Sequence, residues 1–444
     1  MRIIIIGAVA AGTSAAAKAR RNLPEAEIVI YEKGPDISYS GCGMPYFLGG
    51  SVKSIQELAP RDPAFFWDKS KIDIKTLHEV LEVNAVTKSV KIRDLQSGLE
   101  FMDHYDKLVL ATGAEAVIPN IPGVGLPHVF SLRNMQNARE IDSYRKENHP
   151  TKAVILGTGF IGMELCENLK ELGMHITLIE KKAQVMPNLD PEMSKLIESY
   201  LLSKGIDILT GRGVAKIESN YILLESCEKV EADLVILAVG IRPDIRLALQ
   251  IGAEIGVTGA IKVDPLMHTS IPDVYSCGDC IEQFQLLSNR PVYRPLGSTA
   301  NKTGRICGDS LADIDVPFRG ILGTGIFRLF DMTVASTGLS EQEVSELGIE
   351  FTSVLLREYD KPEYMGGKTM TIKAIADKSN GTLLGVQIFG PEGVDKRLDI
   401  FVTAMTFGAK AEDLFHLDLA YAPPYSLAKD AVMLTGMVLE KRLD

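Results

Sequence analysis

The sequence is short of cysteine, of long apolar segments and of positive charge, and each shortage excludes a class of protein. Six cysteines in 444 residues are too few for a disulfide scaffold. Beyond the N-terminus, no stretch reaches the ~18 apolar residues that a membrane span needs. The 47 Lys and Arg face 58 Asp and Glu, giving a formal net charge of -11. Neither nucleic acid nor an anionic membrane is therefore expected as a partner.

The apolar N-terminus, IIIIGAVAAGTSAAA, has the composition of a signal-peptide core. Its glycines, however, stand where a strand would turn into a helix, and a charged segment then leads to a second strand that ends at Glu32. We therefore interpret this segment as the start of the fold and predict a cytoplasmic protein.

A strand, a glycine-rich turn, a helix, a second strand and a terminal acid occur in this order twice. Their glycines and acids are Gly7, Gly12 and Glu32 in the first copy, and Gly157, Gly159, Gly162 and Glu180 in the second. Glycines let the backbone turn tightly beside a pyrophosphate at a helix N-terminus, and the acid binds a ribose. One such match is weak evidence, but two in register predict two dinucleotide sites.

Three further segments complete the predicted organisation. The short strands in DKLVLATGA and ADLVILAVGIRP would each extend one nucleotide unit, and IPDVYSCGDC places Asp279 after a strand, where its carboxylate can bind a sugar hydroxyl. From about Gly323 strand-like stretches precede helices near 394–416. We predict an α/β fold with two tandem Rossmann-like domains and a C-terminal α+β domain, with ranges 1–113 plus 241–322, 114–240 and 323–444.

Over essentially the whole chain these features resemble the FAD-dependent pyridine nucleotide-disulfide oxidoreductases. The string SYSGCGMPY, from Ser38 to Tyr46, is similar to the SFxxCGxPY motif of their single-cysteine branch, which contains coenzyme A-disulfide reductases, NADH oxidases and persulfide reductases. The resemblance implies an enzyme that takes hydride from a nicotinamide cofactor onto FAD and passes electrons to Cys42. It also implies that the C-terminal domain forms a homodimer.

The resemblance also assigns expected roles residue by residue. FAD would be held by Gly7, Gly12, Glu32, Thr112, Gly113 and Asp279, and the nicotinamide dinucleotide by Gly157, Gly159, Gly162 and Glu180, with Glu164 near the nicotinamide. The segment YAPPYS resembles one that reaches into the partner's active site. Within it Tyr425, together with Tyr364, is expected to donate a hydroxyl beside the sulfur of the other subunit.

Two departures narrow the expected substrate. Ala10 stands where peroxidases and many water-forming oxidases carry a histidine, which favours a disulfide or persulfide over oxygen. Cys42 has no second cysteine at redox-pair spacing, so a small thiol such as coenzyme A must supply the other sulfur. Candidate residues for binding this polyanion are Ser38, Arg21, Lys71, Asn301 and Arg305, with Arg20, Arg61 and Lys69 as further cations. For any single one of these cations, a solvated surface charge is the commoner role.

Several alternatives stay open from the sequence. An NADH oxidase would reduce oxygen to water or hydrogen peroxide through a sulfenate on Cys42, and a flavin redox sensor would not turn over at all. Glu180 favours NADH, although Lys181 and Lys182 leave NADPH possible. No metal is expected, because Cys277 and Cys280 have no further ligands at zinc spacing. Cys42 is expected near a helix start, where a thiol pKa falls.

Overall fold

The computed structural model describes residues 1–443, so Asp444, the last residue of the predicted third domain, lies outside the described residues. No helix within the described range is long and apolar enough to cross a membrane. The strands fall into three large sheets and several small antiparallel additions. This arrangement confirms the predicted α/β fold class.

The first large sheet is parallel and has the order β18-β7-β1-β2-β3. Its strands are Arg2–Ile6 (β1), Glu27–Tyr31 (β2), Ile72–Lys75 (β3), Lys107–Leu110 (β7) and Val274–Ser276 (β18). The isoleucines at positions 3 to 6 are buried, as expected for a parallel strand covered by helices on both faces. The N-terminal apolar run is therefore the central strand of a sheet.

The second large sheet repeats the plan, with all strands parallel and the order β12-β11-β10-β16-β9. Its strands are Val129–Ser131 (β9), Lys152–Leu156 (β10), His175–Glu180 (β11), Asp207–Thr210 (β12) and Leu234–Leu237 (β16). In both sheets the strand before the glycine turn lies between the strand that carries the acid and a later strand. The two sheets confirm the tandem nucleotide units, while their exact domain boundaries stay a prediction.

Small antiparallel sheets decorate and connect these units. They consist of His78–Asn84 (β4), Ser89–Asp94 (β5) and Glu100–His104 (β6); Val214–Ile217 (β13), Tyr221–Leu224 (β14) and Lys229–Glu231 (β15); Ala114–Ala116 (β8) with Ile241–Pro243 (β17); and Gln283–Phe284 (β19) with Pro291–Val292 (β20). The β8 and β17 pair joins the two places where the chain passes between the nucleotide units. The first unit is thus interrupted by the second.

The third large sheet is antiparallel, with the order β21-β22-β25-β24-β23. Its strands are Gly325–Leu329 (β21), Met332–Gly338 (β22), Phe351–Tyr359 (β23), Thr369–Asp377 (β24) and Leu383–Gly390 (β25). This confirms the predicted C-terminal α+β domain. The helical region expected near 394–416 consists of an α-helix that ends at Thr406 and a 3₁₀ helix over Glu412–His416.

Helices cover the sheets and position the loops between them. The α-helices are Ala10–Asn22 (α1), Met44–Leu48 (α2), Pro63–Ser70 (α3), Met135–Asn148 (α4), Phe160–Glu171 (α5), Pro191–Ser203 (α6), Arg246–Gln250 (α7), Gly297–Ser310 (α8), Glu341–Glu346 (α9), Val394–Thr406 (α10) and Ala431–Glu440 (α11). The other 3₁₀ helices are Gly41–Gly43, Ile55–Leu58 and Glu363–Met365.

Small residues let α1 and α8 pack in backbone contact. A Cβ on Gly304 would fall onto the carbonyl oxygen of Ala11, and one on Gly308 would fall onto that of Ala15. This close approach brings residues distant in sequence beside the first glycine turn. The packing therefore determines where α8 meets the nucleotide edge of the first sheet.

We predict that Gly304→Ala lowers the free energy of unfolding by about 1–3 kcal/mol, because the added methyl group overpacks a backbone contact. Gly297→Ala on the same helix is the matched control, since a Cβ there meets nothing within 4 Å. Thermal unfolding of both variants measures the difference. Equal midpoints for the two variants would contradict the prediction.

Candidate active site

A cavity of about 2010 Å³ runs along the carboxyl edges of the two parallel sheets, where α/β folds bind their ligands. This is larger than the roughly 300–1,000 Å³ of ordinary small-molecule pockets. The predicted site residues that line it are Gly7, Arg21, Glu32, Ser38, Cys42, Thr112, Gly113, Gly159, Glu164, Asp279, Asn301 and Arg305. Tertiary folding thus brings together the two nucleotide turns, the cysteine loop and α8.

The first glycine turn has the close backbone geometry that a pyrophosphate site needs. Gly7 has φ +106°, and a Cβ on it would fall onto the Ala111 carbonyl; a Cβ on Gly12 would fall onto the Gly7 carbonyl. The turn opens α1, whose first residues Ala10 and Ala11 line the cavity, and the free N–H groups of a helix N-terminus favour an anion. Val9, at the position where the motif usually has its middle glycine, lines the cavity.

The acid at the end of β2 holds the turn as well as facing the ligand space. The Glu32 carboxylate accepts hydrogen bonds from the Ala8 and Gly34 amides, each at 2.8 Å. Burial raises its pKa. Because a carboxylate can accept about four hydrogen bonds, capacity remains for ribose hydroxyls. This carboxylate acceptor and the glycine turn fit the adenosine and pyrophosphate portion of FAD.

The second acid is built into its turn in the same way. Glu180 is buried and accepts hydrogen bonds from Thr158 N at 3.0 Å, Thr158 Oγ1 at 2.8 Å and Lys182 N at 2.9 Å. Gly157 has φ +99° and would, with a Cβ, meet the Ala238 carbonyl. The two copies of the repeat therefore share their hydrogen bonding as well as their sequence. Four predicted site residues do not line the cavity: Gly12, Gly157, Gly162 and Glu180.

Sequence reasoning missed Arg133, which links the two nucleotide units at the cavity. Its Nη2 donates to Asp279 Oδ2 at 2.8 Å, and its Nε donates to the Ala114 carbonyl at 2.8 Å. The arginine follows β9 of the second unit, whereas Asp279 follows β18 of the first. No local motif marks Arg133, so only the folded arrangement shows that it neutralises the acid expected to bind FAD.

Cys42 lies in the 3₁₀ helix Gly41–Gly43, directly before α2, and its side chain is exposed at the cavity. Desolvation by the surrounding protein raises its pKa, and the Glu164 and Asp279 carboxylates raise it further, while Arg133 opposes them. The expectation of a lowered thiol pKa was therefore wrong. The helix that follows, α2, has only five residues, and two of the three nearby charges that affect the thiol pKa are acidic.

Glu164 projects from α5 toward the same part of the cavity as Cys42. Burial raises its pKa to about 7, Glu167 adds to the rise, and a 3.4 Å hydrogen bond from the Tyr46 hydroxyl opposes it. Glu167 forms a salt bridge with Arg328, with 2.7 Å between Glu167 Oε1 and Arg328 Nη2. Near neutral pH Glu164 can therefore act as proton donor or acceptor, a property that its place in the motif did not reveal.

The expected substrate cations separate into two groups. Arg21 and Arg305 line the cavity, together with Arg61 and with Lys302, which the sequence reasoning missed. Lys71 instead lies 5.0 Å from the centre of the exposed Trp67 ring and does not line the cavity. Arg20 also does not line the cavity. It donates hydrogen bonds to the carbonyl groups of Ser70 and Lys71 and so links α1 to the end of α3. Lys69 lies over the Phe65 ring on the same helix.

Tyr364 and Tyr425 lie on the surface of the C-terminal domain, with 77% and 72% of each residue exposed. Neither lines the cavity formed by residues 1–443 of the same chain. Within this range, neither tyrosine therefore contributes to the Cys42 site of its own chain.

Of the other cysteines, Cys166, Cys277, Cys280 and Cys307 are buried, and Cys227 is exposed. Cys277 and Cys280 are buried, and burial raises the pKa of Cys280 to about 11 while the Cys307 thiol helps raise that of Cys277. Within residues 1–443 no group of three or more His, Cys, Asp or Glu side chains could hold a metal ion.

Comparison with known proteins agrees with this geometry. Residues 1–291 match the family model described as pyridine nucleotide-disulphide oxidoreductase, and residues 326–431 match its dimerisation domain. An NADH oxidase of Methanocaldococcus jannaschii is 34% identical, with 100% of this chain and 99% of the relative covered. A coenzyme A disulfide reductase of Staphylococcus haemolyticus is 32% identical, with 98% of each covered.

Solved structures show the same similarity. A reduced Bacillus anthracis CoADR-RHD matches with TM-score 0.98 and 35% identity, over 100% of this chain and 80% of that one. An NAD-dependent persulfide reductase from A. fulgidus matches with TM-score 0.97 and 37% identity, over 100% of this chain and 83% of that one. A water-forming NADH oxidase from Lactobacillus brevis matches with TM-score 0.95 and 26% identity, over 100% and 99%.

We predict that Glu164→Gln lowers the pH midpoint for alkylation of Cys42 by iodoacetamide, by about half a pH unit. The Cys42 pKa is raised above the ordinary value of 9.0, so this titration occurs where Glu164 is ionised and its removal favours the thiolate. Glu171→Gln, an exposed change on the same helix, is the control. An unchanged or higher midpoint in Glu164→Gln would contradict the electrostatic account.

Proposed function

We propose that this chain, which belongs to the pyridine nucleotide-disulphide oxidoreductase family, reduces a coenzyme A disulfide or persulfide at Cys42. It is an oxidoreductase that uses FAD and NAD(P)H. The observation that supports the substrate class is that, of the cysteines in residues 1–443, Cys42 alone lines the cavity. A disulfide exchange at this site therefore needs its second sulfur from a small molecule.

The chemistry follows from one protein sulfur. When bound, FAD supplies a carrier that accepts hydride from NAD(P)H and delivers two electrons to sulfur. Attack by the Cys42 thiolate on a disulfide breaks its S–S bond, forms a mixed disulfide on Cys42 and releases one thiolate, which takes up a proton. Two-electron reduction of the mixed disulfide then releases the second thiol and restores Cys42.

Local positive charge supports coenzyme A as the small thiol. Arg21, Arg61, Lys302 and Arg305 line the Cys42 cavity in a protein whose net charge is -11. A phosphate-bearing substrate gains charge-assisted hydrogen bonds from such a group. Ser38 and Asn301 add neutral hydrogen-bonding groups to the lining of the same cavity. All six cysteines are free, which fits the reducing cytoplasm as the proposed location.

We further propose that the enzyme is a homodimer in which Tyr364 and Tyr425 donate hydroxyl groups to the partner's Cys42 site. The family dimerisation model covers residues 326–431. Both tyrosines are exposed, as are Phe407 and Tyr421 on the same domain. Large exposed aromatic groups on one domain are typical of an interface.

Oxygen reduction is the second candidate, because one full-length relative is named an NADH oxidase. An exposed Cys42 could cycle through a sulfenic acid during that reaction. Ala10 in the first turn offers no imidazole for peroxide chemistry, which is the reason we place the disulfide reaction first.

We predict that Cys42→Ser lowers thiol release from coenzyme A disulfide at least about 100-fold, because the sulfur that forms the mixed disulfide is lost. Cys227→Ser, at the other exposed cysteine, should keep full activity. Thiol release and oxygen uptake are measured on the same preparations, with FAD content as a check on folding. Full disulfide reductase activity in Cys42→Ser would refute the proposal, and oxygen uptake without thiol release would favour the oxidase.

The second nucleotide site also bears on the choice between NADH and NADPH. Three exposed cations, Lys181, Lys182 and Arg212, lie at the ends of β11 and β12, whose loops are joined by a 2.7 Å bond from Gly211 N to the Lys182 carbonyl. None forms an ion pair with another described residue. Because the Glu180 carboxylate already accepts three hydrogen bonds, we propose that NADPH is accepted as well as the NADH that Glu180 favours.

We predict that Lys181→Ala combined with Lys182→Ala raises KM for NADPH about tenfold, equivalent to about 1.4 kcal/mol, while KM for NADH changes less than about twofold. Lys378→Ala, an exposed lysine of the C-terminal domain, is the control. Binding of 2′,5′-ADP and of 5′-ADP by calorimetry gives a readout independent of turnover. Equal loss of affinity for both nucleotides would contradict a 2′-phosphate contact.

A further inference from the structure

Arg397 is a fully buried charge on α10, with 1% of its surface exposed. Its Nη2 donates to Asp430 Oδ2 at 2.8 Å and to the Asp360 carbonyl at 2.6 Å. Its Nε reaches Asp430 Oδ1 at 3.3 Å, and its Nη1 reaches the Gly393 carbonyl at 3.2 Å. Such a group is retained in a protein interior only when it is paired and hydrogen-bonded throughout.

One end of this arrangement fixes the loop that carries Tyr364. Asp360 follows β23 and is 4% exposed. Its amide donates to the Lys368 carbonyl at 2.9 Å, and its Oδ1 accepts from the Lys368 amide at 2.6 Å. Residues 360 to 368 therefore form a closed loop whose base is held by Arg397, with Tyr364 near the tip.

The other end fixes the segment that carries Tyr425. Asp430 caps α11 by accepting a 3.1 Å hydrogen bond from Val432 N, and it is 2% exposed. Upstream, the Tyr425 amide donates to the Ala422 carbonyl at 2.9 Å, and the buried Ser426 hydroxyl donates to the Ala420 carbonyl at 3.1 Å. This turn is thus closed by two hydrogen bonds, and Asp430, four residues after Ser426, fixes the chain where α11 begins.

We infer that Arg397 is a positioning residue for the Cys42 reaction, because one guanidinium joins the two segments that present Tyr364 and Tyr425 to a partner subunit. The inference rests on the proposed disulfide reduction by a homodimer. Its physical basis is preorganisation: two exposed tyrosines with clamped backbones lose less freedom on meeting the partner's cavity. A lysine at 397 would keep the charge but could not bridge both segments, since only arginine has the planar fork.

The test is a double-mutant cycle between the clamp and a tyrosine. Arg397→Met with Asp430→Asn removes the fork without leaving a buried unpaired charge and keeps an N-cap on α11. We expect about a tenfold fall in kcat for disulfide reduction, with KM for NAD(P)H, FAD content and dimer mass unchanged. In a Tyr425→Phe background the same pair of changes should cause less than about a twofold further fall.

Phe401→Leu is the matched control, because Phe401 is buried on the same helix and its side chain makes no hydrogen bond to either segment, so its loss destabilises the domain while the Arg397 hydrogen bonds stay in place. The fall in kcat caused by Phe401→Leu should be the same with and without Tyr425→Phe. If the fall caused by the Arg397 and Asp430 changes is also the same in both backgrounds, the inference is wrong and Arg397 only stabilises the domain. If that variant does not yield a folded dimer, Arg397→Lys carries the same cycle.

Turnover by the wild-type enzyme distinguishes failure of the proposed function from failure of the inference about Arg397. Absence of disulfide turnover by the wild type would refute the proposed function and the inference together. Turnover by the wild type with independent effects at Arg397 and Tyr425 would refute the inference alone.

Discussion

The structure depends on the close approach of backbone to backbone at two glycine turns. At each turn a parallel strand ends, the chain reverses through a glycine with positive φ, and a long helix begins. The acid on the neighbouring strand then accepts hydrogen bonds from the turn, as Glu32 does from Ala8 and Glu180 from Thr158. At the first turn, the Glu32 carboxylate that holds the loop also lines the ligand space, so folding and binding use the same group there.

Everything else at the site is arranged around that edge. The backbone contact between α1 and α8 brings Asn301, Lys302 and Arg305 to the first turn, although they are far from it in sequence. Arg133 arrives from the second unit and pairs with Asp279 of the first. The result is a cavity lined by several basic residues, with the partly buried acids Glu164 and Asp279 near the cysteine, in a chain that is acidic overall.

The charges around Cys42 show why its position in a motif does not predict its thiol pKa. A cysteine before a helix would by itself be read as an activated thiol. Burial and the carboxylates of Glu164 and Asp279 instead raise the pKa of Cys42 in the protein alone. The same desolvation raises the pKa of Glu164 to about 7. The Glu164 carboxyl group therefore gives the site a group that can hold a proton near neutral pH, in the same cavity as the reactive sulfur.

The sequence by itself determined the α/β class, the tandem nucleotide units, the C-terminal α+β domain and the identity of Cys42 as the reactive candidate. The fold features follow from strand periodicity, glycine turns and terminal acids, which are local constraints that each unit satisfies within its own segment, whereas the role of Cys42 follows from the resemblance of SYSGCGMPY to a family motif. Only the tertiary structure decided that Arg133 and Lys302 belong to the cavity, that Lys71 lies outside it, and that Arg397 joins two distant segments. Those facts depend on helix packing and on burial, which bring together side chains that no local spacing relates.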